Sequence, residues 1–211
     1  MNSDPTTPIC TVFGGANGSG KSTLIRNMAP PGELVNADEI ARLIDRVRPE
    51  NASLAAGRMV LERLDELIAA RQSFHWETTL SSHQALHHMA KARRGGFQTN
   101  LVFVVLENVT LNIARVRSRV ANGGHDIPEE SIKRRYEKAF DRLPKAVQLS
   151  DAVIVYDNTH KNDLKTLYRL DGGVPRFNAL VEARMVHVRI AEALAAALNC
   201  SADDVFRAAR P

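Results

Sequence analysis

The sequence predicts an α/β fold, a three-layer sandwich with helices over both faces of a mostly parallel central sheet of five to six strands. Three observations predict it. An apolar, β-branched run, Ile9-Cys10-Thr11-Val12-Phe13, passes through a glycine-rich loop straight into a helical pattern beginning near Thr23. Short strand-like runs then alternate with helical ones along most of the chain, the order that lays parallel strands side by side with crossover helices. Thr99 to Leu106 is apolar almost throughout, as a central strand buried on both faces must be.

Taken in order, the first helix covers Thr23 to Ala29, and Glu33-Leu34-Val35-Asn36 is a short second strand. Helices are expected over about 39–47 and 52–71, parted by Pro49. Ser73-Phe74-His75-Trp76 is a third strand, followed by a helix over about 83–94 that Gly95-Gly96 stops. After the fourth strand come helices at about 109–121 and 129–142, joined by Asn122-Gly123-Gly124-His125-Asp126-Ile127-Pro128. Ala152 to Tyr156 is the fifth strand, Lys165 to Leu170 a sixth, and an Ala-rich helix is expected over about 176–197. All 211 residues are expected to form a single domain, with a helical lid at about 115–142.

The loop after the first strand matches G-x-x-x-x-G-K-[ST] from Gly15 to Ser22, the phosphate-loop pattern of P-loop NTPases. Its chemistry follows from its residues. Glycines let the backbone fold around a phosphate with N–H groups inward, and the following helix aims its positive end at the same charge. Gly15, Ala16, Asn17, Gly18, Ser19, Gly20, Lys21, Ser22 and Thr23 are therefore expected to bind the nucleotide, ATP. Lys21 should reach the β- and γ-phosphates, and the Ser22 hydroxyl should hold Mg²⁺. Asn158, after the fifth strand, stands where such proteins often place the purine, or is part of a simple turn.

Ligands of open parallel sheets bind beyond the carboxyl ends of the strands. Asp38 leaves the second strand and Glu77 the third. A carboxylate beside a γ-phosphate can take the proton of an attacking hydroxyl or help hold Mg²⁺. Asp38 also suits a helix cap, and Glu77 a cap over Thr78 and Thr79. Arg115, Arg117 and Arg119, the Gly123-Gly124-His125 turn, and Lys133, Arg134 and Arg135 make a basic helix, turn, basic helix unit. Arginines on such a flap can neutralise the transferred phosphoryl; Glu129, Glu130 and Glu137 equally suit them to solvated ion pairs.

Composition is that of a soluble globular protein, with 44% hydrophobic and 25% charged residues. The net charge of +4 suits an anionic substrate. Only 5% of residues are aromatic and none cluster with basic ones, so no nucleic-acid platform is expected. Cys10 and Cys200 have no spacing for a disulfide framework or metal clip, and with no signal region or bilayer-length apolar run a cytoplasmic, membrane-free protein is expected. His83 and His87 are four apart, but Gln84 replaces the glutamate of a metalloprotease motif, and no Asn-Lys-x-Asp guanine-reading motif occurs.

The order of parts resembles the zeta-toxin family of P-loop kinases. The resemblance rests on Gly14 to Thr23, Val35-Asn36-Ala37-Asp38, Glu77-Thr78-Thr79 and Arg119 to Pro128, and runs from about residue 9 to about 160. It implies ATP-dependent phosphorylation of a sugar hydroxyl of UDP-N-acetylglucosamine, with a small antitoxin protein blocking the ATP site. Carried over by motif, Asp38 would be the general base, Lys21 the γ-phosphate clamp, Ser22 the metal ligand, Glu77 with Thr78 a substrate contact, and Arg119 with Arg134 or Arg135 the flap charges. The chain departs from better-known members in being shorter. A nucleoside or polynucleotide kinase and a nucleotide-regulated binding protein are the alternatives; the first predicts salt-sensitive oligonucleotide binding, the second a switch motif that the sequence lacks.

Overall fold

The computed structural model describes residues 7–124, 126–160 and 163–208. Its elements, in chain order, are β1 (Ile9–Gly14), α1 (Lys21–Met28), β2 (Glu33–Val35), α2 (Ala37–Ile44), a 3-10 turn (Pro49–Ala52), α3 (Ser53–Ala69), β3 (Phe74–Thr78), α4 (His83–Arg94) and β4 (Gln98–Val105). There follow α5 (Val109–Ala121), α6 (Glu129–Gln148), β5 (Ala152–His160), β6 (Asp163–Asp171), β7 (Val174–Asn178), α7 (Met185–Leu198) and α8 (Ala202–Arg207).

One seven-stranded sheet runs in the order β2-β3-β1-β4-β5-β6-β7. The first five strands pair in parallel, and β6 and β7 join antiparallel. Strand order reverses beside β1, which puts the end of β1 at the switch point where ligands of such sheets bind.

Alternating side chains of the strands build two cores. On one face Val12, Leu101, Phe103, Val153 and Val155 pack with Leu64 of α3, Met89 of α4, Phe140 of α6 and Ile190 of α7. On the other, Phe13, Val102 and Val104 pack with Leu24 and Ile25 of α1. Each fully buried Leu or Phe contributes about 1.5–3 kcal/mol, so the larger face dominates the hydrophobic stabilisation. Helices α5 and α6 meet over a separate cluster, Ile113, Val116, Ile127 and Ile132.

Several boundaries differ from expectation. The sheet has seven strands rather than five to six, because Gly172-Gly173 turns the chain with both residues at positive φ (56° and 78°), the two-residue hairpin geometry that matches strand twist. Residues 174–178 are thus a strand, and the C-terminal helix starts at Met185 rather than 176. Helix α6 runs past 142 to Gln148 through Pro144; the lost N–H bond is outweighed by burial of Leu143, Ala146 and Val147. His125, in the expected flap turn, lies outside the described residues. Among the described residues no helix is long and apolar enough to cross a membrane.

Candidate functional site

The loop between β1 and α1 is held by its neighbours. Gly15 has φ +141°, and a Cβ there would lie 2.3 Å from the Val104 carbonyl of β4, so only glycine fits. Gly20, at φ +101°, abuts the Asn158 amide, which donates to the Ser19 carbonyl at 2.8 Å. At the loop tip, the Asn112 amide of α5 donates to the Asn17 carbonyl at 2.7 Å, and Arg135 of α6 donates to Asn17 Oδ1 at 3.1 Å. Helices α5 and α6 are therefore both fastened to the loop itself.

Lys21 opens α1 and is buried. Its Nζ donates to the carbonyls of Gly15 (2.8 Å) and Ala16 (3.1 Å), and lies 3.6 Å from Glu77 Oε1. Burial pushes the ammonium below its ordinary pKa; Glu77 and, more weakly, Asp38 oppose this, and the Arg119 charge adds to it. The Ser22 hydroxyl donates to Glu77 Oε2 at 2.8 Å. One carboxylate thus bridges the loop lysine and the hydroxyl beside it.

Beyond the loop lies an open cavity of about 440 Å³. One side is walled by Asn36, Asp38, Glu39 and Arg42 from the β2 end and α2, the other by Arg115 and Arg119 from α5, with Lys21, Ser22 and Glu77 at the floor. The two walls stand on opposite sides of β1, since β3 and beyond it β2 lie to one side of it and β4 to the other. The competing reading of Asp38 as a cap is settled by Asn36, which is the N-cap and accepts from the Asp38 N–H at 2.8 Å. The Asp38 carboxylate faces the cavity instead.

Of the residues singled out in the sequence, the structure gathers Asn17, Gly18, Gly20, Lys21, Ser22 and Thr23 around the cavity, with Asp38, Glu77 and Arg119. Ala16 and Ser19 are buried behind the loop. Thr78 does not line the cavity; its hydroxyl accepts from the Leu80 N–H at 3.1 Å, supporting a turn in which Leu80 has φ +57°. Asn158 braces the loop from behind. Arg134 is exposed on α6, whereas its neighbour Arg135 is half-buried and turned to the loop. Burial and the adjacent Arg134 charge lower the Arg135 pKa, and Asp38 acts against them.

Other residues were not singled out for this site. Arg42 lies one helical turn after Asp38, and Asn112 stands three residues before Arg115 on α5, in line with the already expected Arg115 and Arg119, a polar stripe that helical spacing makes visible. Arg184, before α7, carries no such signal. It pairs with Glu107, and its Nη1 donates to Asp157 Oδ2 at 2.6 Å. Burial alone would raise the Asp157 pKa, but hydrogen bonds from Thr159 and the Arg184 guanidinium hold it below 3.8.

Among the described residues no three His, Cys, Asp or Glu side chains gather as a metal site. The Ser22 hydroxyl and Glu77 carboxylate offer two hard oxygens at the loop. That suits Mg²⁺, which takes one or two protein ligands and completes its shell with phosphate and water.

Residues 11–143 match the protein family described as AAA domain. An uncharacterized protein of Haemophilus influenzae is 36% identical over 123 residues, 58% of this chain and 88% of that protein. Among solved structures, the fold is similar to a chain from the PezAT chromosomal toxin-antitoxin system of Streptococcus pneumoniae, with TM-score 0.58 and 17% identity over 80% of this chain and 74% of that one. It is also similar to a chain of AvrRxo1-ORF1:-ORF2 with ATP, with TM-score 0.65 and 12% identity over 81% of this chain; the match spans 60% of that chain's length. At such identities the likeness establishes the α/β P-loop fold alone.

Proposed function

This chain belongs to the AAA-domain family, and from that premise we propose that it is an ATP-dependent kinase that transfers the γ-phosphate to a hydroxyl of a small sugar nucleotide, UDP-N-acetylglucosamine. The observation that carries the reading is the meeting of Lys21, Ser22, Glu77, Asp38 and Arg119 around one cavity at the switch point of the sheet.

In this reading Asp38 accepts the proton of the acceptor hydroxyl as the oxygen attacks phosphorus. Lys21 moves from the loop carbonyls to the γ-phosphate, and Arg119 and Arg135 neutralise charge spreading over the equatorial oxygens. Ser22 and Glu77 would hold Mg²⁺, which when bound offsets charge on the phosphates. Glu77 thereby takes a metal-side role in place of the substrate contact, and of Arg134 and Arg135 we assign the flap charge to Arg135. Arg42 and Glu39 are placed to meet the acceptor. Helices α5 and α6 serve as a lid within a single kinase domain of residues 1–211. Because one fold neighbour comes from a toxin-antitoxin system, a small protein covering this cavity is the proposed partner, and cytoplasmic sugar nucleotide the proposed target.

The test is to incubate the protein with γ-labelled ATP, Mg²⁺ and a panel of UDP-N-acetylglucosamine, nucleosides and a short RNA. Label on the sugar nucleotide, abolished in Asp38→Asn, supports the reading. Label on RNA or a nucleoside moves the acceptor, and slow release of free phosphate alone overturns the kinase assignment.

A further inference from the structure

We infer that Arg115 is the platform on which the nucleotide base lies, and that the base is held by its face rather than read along its edge, so that GTP serves as a phosphoryl donor nearly as well as ATP. This rests on reading the cavity as the nucleotide site.

The base belongs at the α5 end. Asp38 and Arg42 form the opposite wall, and the phosphate loop lies between the two. At the α5 end the cavity is bordered by Arg115, whose Nη2 donates to the carbonyls of Asn158 (2.7 Å) and Thr159 (3.1 Å). Two carbonyls fix one edge of a half-buried guanidinium, leaving its plane for stacking, and a guanidinium stacks on any purine.

Edge reading needs free donors and acceptors, and most of those in the segment beside Arg115 are already engaged. The Asp157 carboxylate takes Arg184 and the Thr159 N–H, at 2.6 and 2.8 Å. The Asn158 amide donates to the Ser19 carbonyl, and the Thr159 hydroxyl accepts from the Glu107 N–H at 2.8 Å. The carbonyls of 158 and 159, the groups that could accept from the amino group of adenine, are occupied by Arg115. Strong discrimination between bases arises when buried polar groups are left unpaired by the wrong one, and the groups named here keep their protein partners whichever base is bound. Stacking, by contrast, tolerates base identity.

The experiment is competitive displacement of a fluorescent ATP analogue by ATP, GTP and inorganic tripolyphosphate, each with Mg²⁺, from the wild type, Arg115→Leu and Arg115→Lys. The expected result is ATP and GTP within about fivefold of each other in the wild type, both weakened about tenfold in each variant, with tripolyphosphate changed less than about twofold. Retained tripolyphosphate binding also reports that the loop of the variant is folded. Preference for ATP by about 100-fold or more, or tripolyphosphate weakened as much as ATP, overturns the inference while leaving the kinase reading intact. A wild type that binds neither nucleotide nor tripolyphosphate overturns both.

Discussion

The two walls of the cavity are built differently. On the proposed donor side, β1 and β4 pack on α1 through Phe13, Val102 and Val104, α5 packs on α6 through Ile113 and Val116, and the loop's polar groups are taken up by Asn112, Arg135 and Asn158. On the acceptor side, α2 has eight residues and rests on α3 and the 3-10 turn through a cluster of alanines, Ala41, Ala52 and Ala56, with Ile40 beside them. Its outer face leaves Leu43 76% and the following Val47 87% exposed. At about 0.8 kcal/mol per buried methylene, these small contacts, with Ala37 and Ile40 only partly buried against the main core, hold α2 less firmly than the large side chains hold β1 and β4. The nucleotide cradle is prebuilt, then, while the wall that carries the proposed base is lightly held and free to adjust around an acceptor.

The sharpest way to break that comparison is Asp38→Asn against Lys21→Ala. Asp38→Asn is expected to lower phosphoryl transfer by roughly 10²–10⁴-fold with ATP affinity within about twofold, whereas Lys21→Ala weakens binding and transfer together. Parallel losses of binding in both variants would show that the walls do not act separately. For stability, Phe13→Ala should cost about 3–5 kcal/mol in urea unfolding and Leu43→Ala less than about 0.5 kcal/mol. A costly Leu43 substitution would mean that the acceptor wall is covered in solution. On the lid, Arg135→Gln should slow transfer by about tenfold more than Arg134→Gln, measured by kcat at saturating ATP.

The smallest effect is a titration. Burial, with the nearby Arg184 charge, lowers the pKa of His187 below 6.5, and its Nδ1 accepts from the Val181 N–H at 3.0 Å. The unfolded chain therefore binds the proton more readily, and stability present above pH 6.5 declines as pH falls below it. The melting temperature should drop between pH 7 and 5, and by less in His187→Asn, whose amide oxygen can take the same N–H. An equal drop in both proteins would assign the acid sensitivity to other groups, such as buried His75, also lowered by desolvation.

What was legible in the sequence was local. The phosphate loop fills consecutive positions in a fixed strand-to-helix context, and the parallel pairing of the first five strands follows from their alternation with helices, although their order, β2-β3-β1-β4-β5, does not. Asp38 was visible as a candidate, but only the position of Asn36 as the cap separates its two readings. Arg134 and Arg135 lie about 100° apart on one helix, and the packing of α6 against the loop decides which turns inward. Asn158 was expected just after the fifth strand at the purine; β5 instead runs on to His160 and Asn158 within it braces the back of the loop, a tertiary fact with no local signature. The Gly172-Gly173 hairpin was local and readable, and an Ala-rich stretch downstream drew the helix too far forward over it.

That hairpin also fixes how the sheet ends. Among the described residues, one margin is the three-residue β2 and the other is the five-residue β7, whose second position is Pro175. Proline has no N–H to offer an incoming strand, and the register between β6 and β7 shifts beside it. Neither border presents a long, regular row of unpaired backbone groups, so the protein resists strand-to-strand self-association even when concentrated.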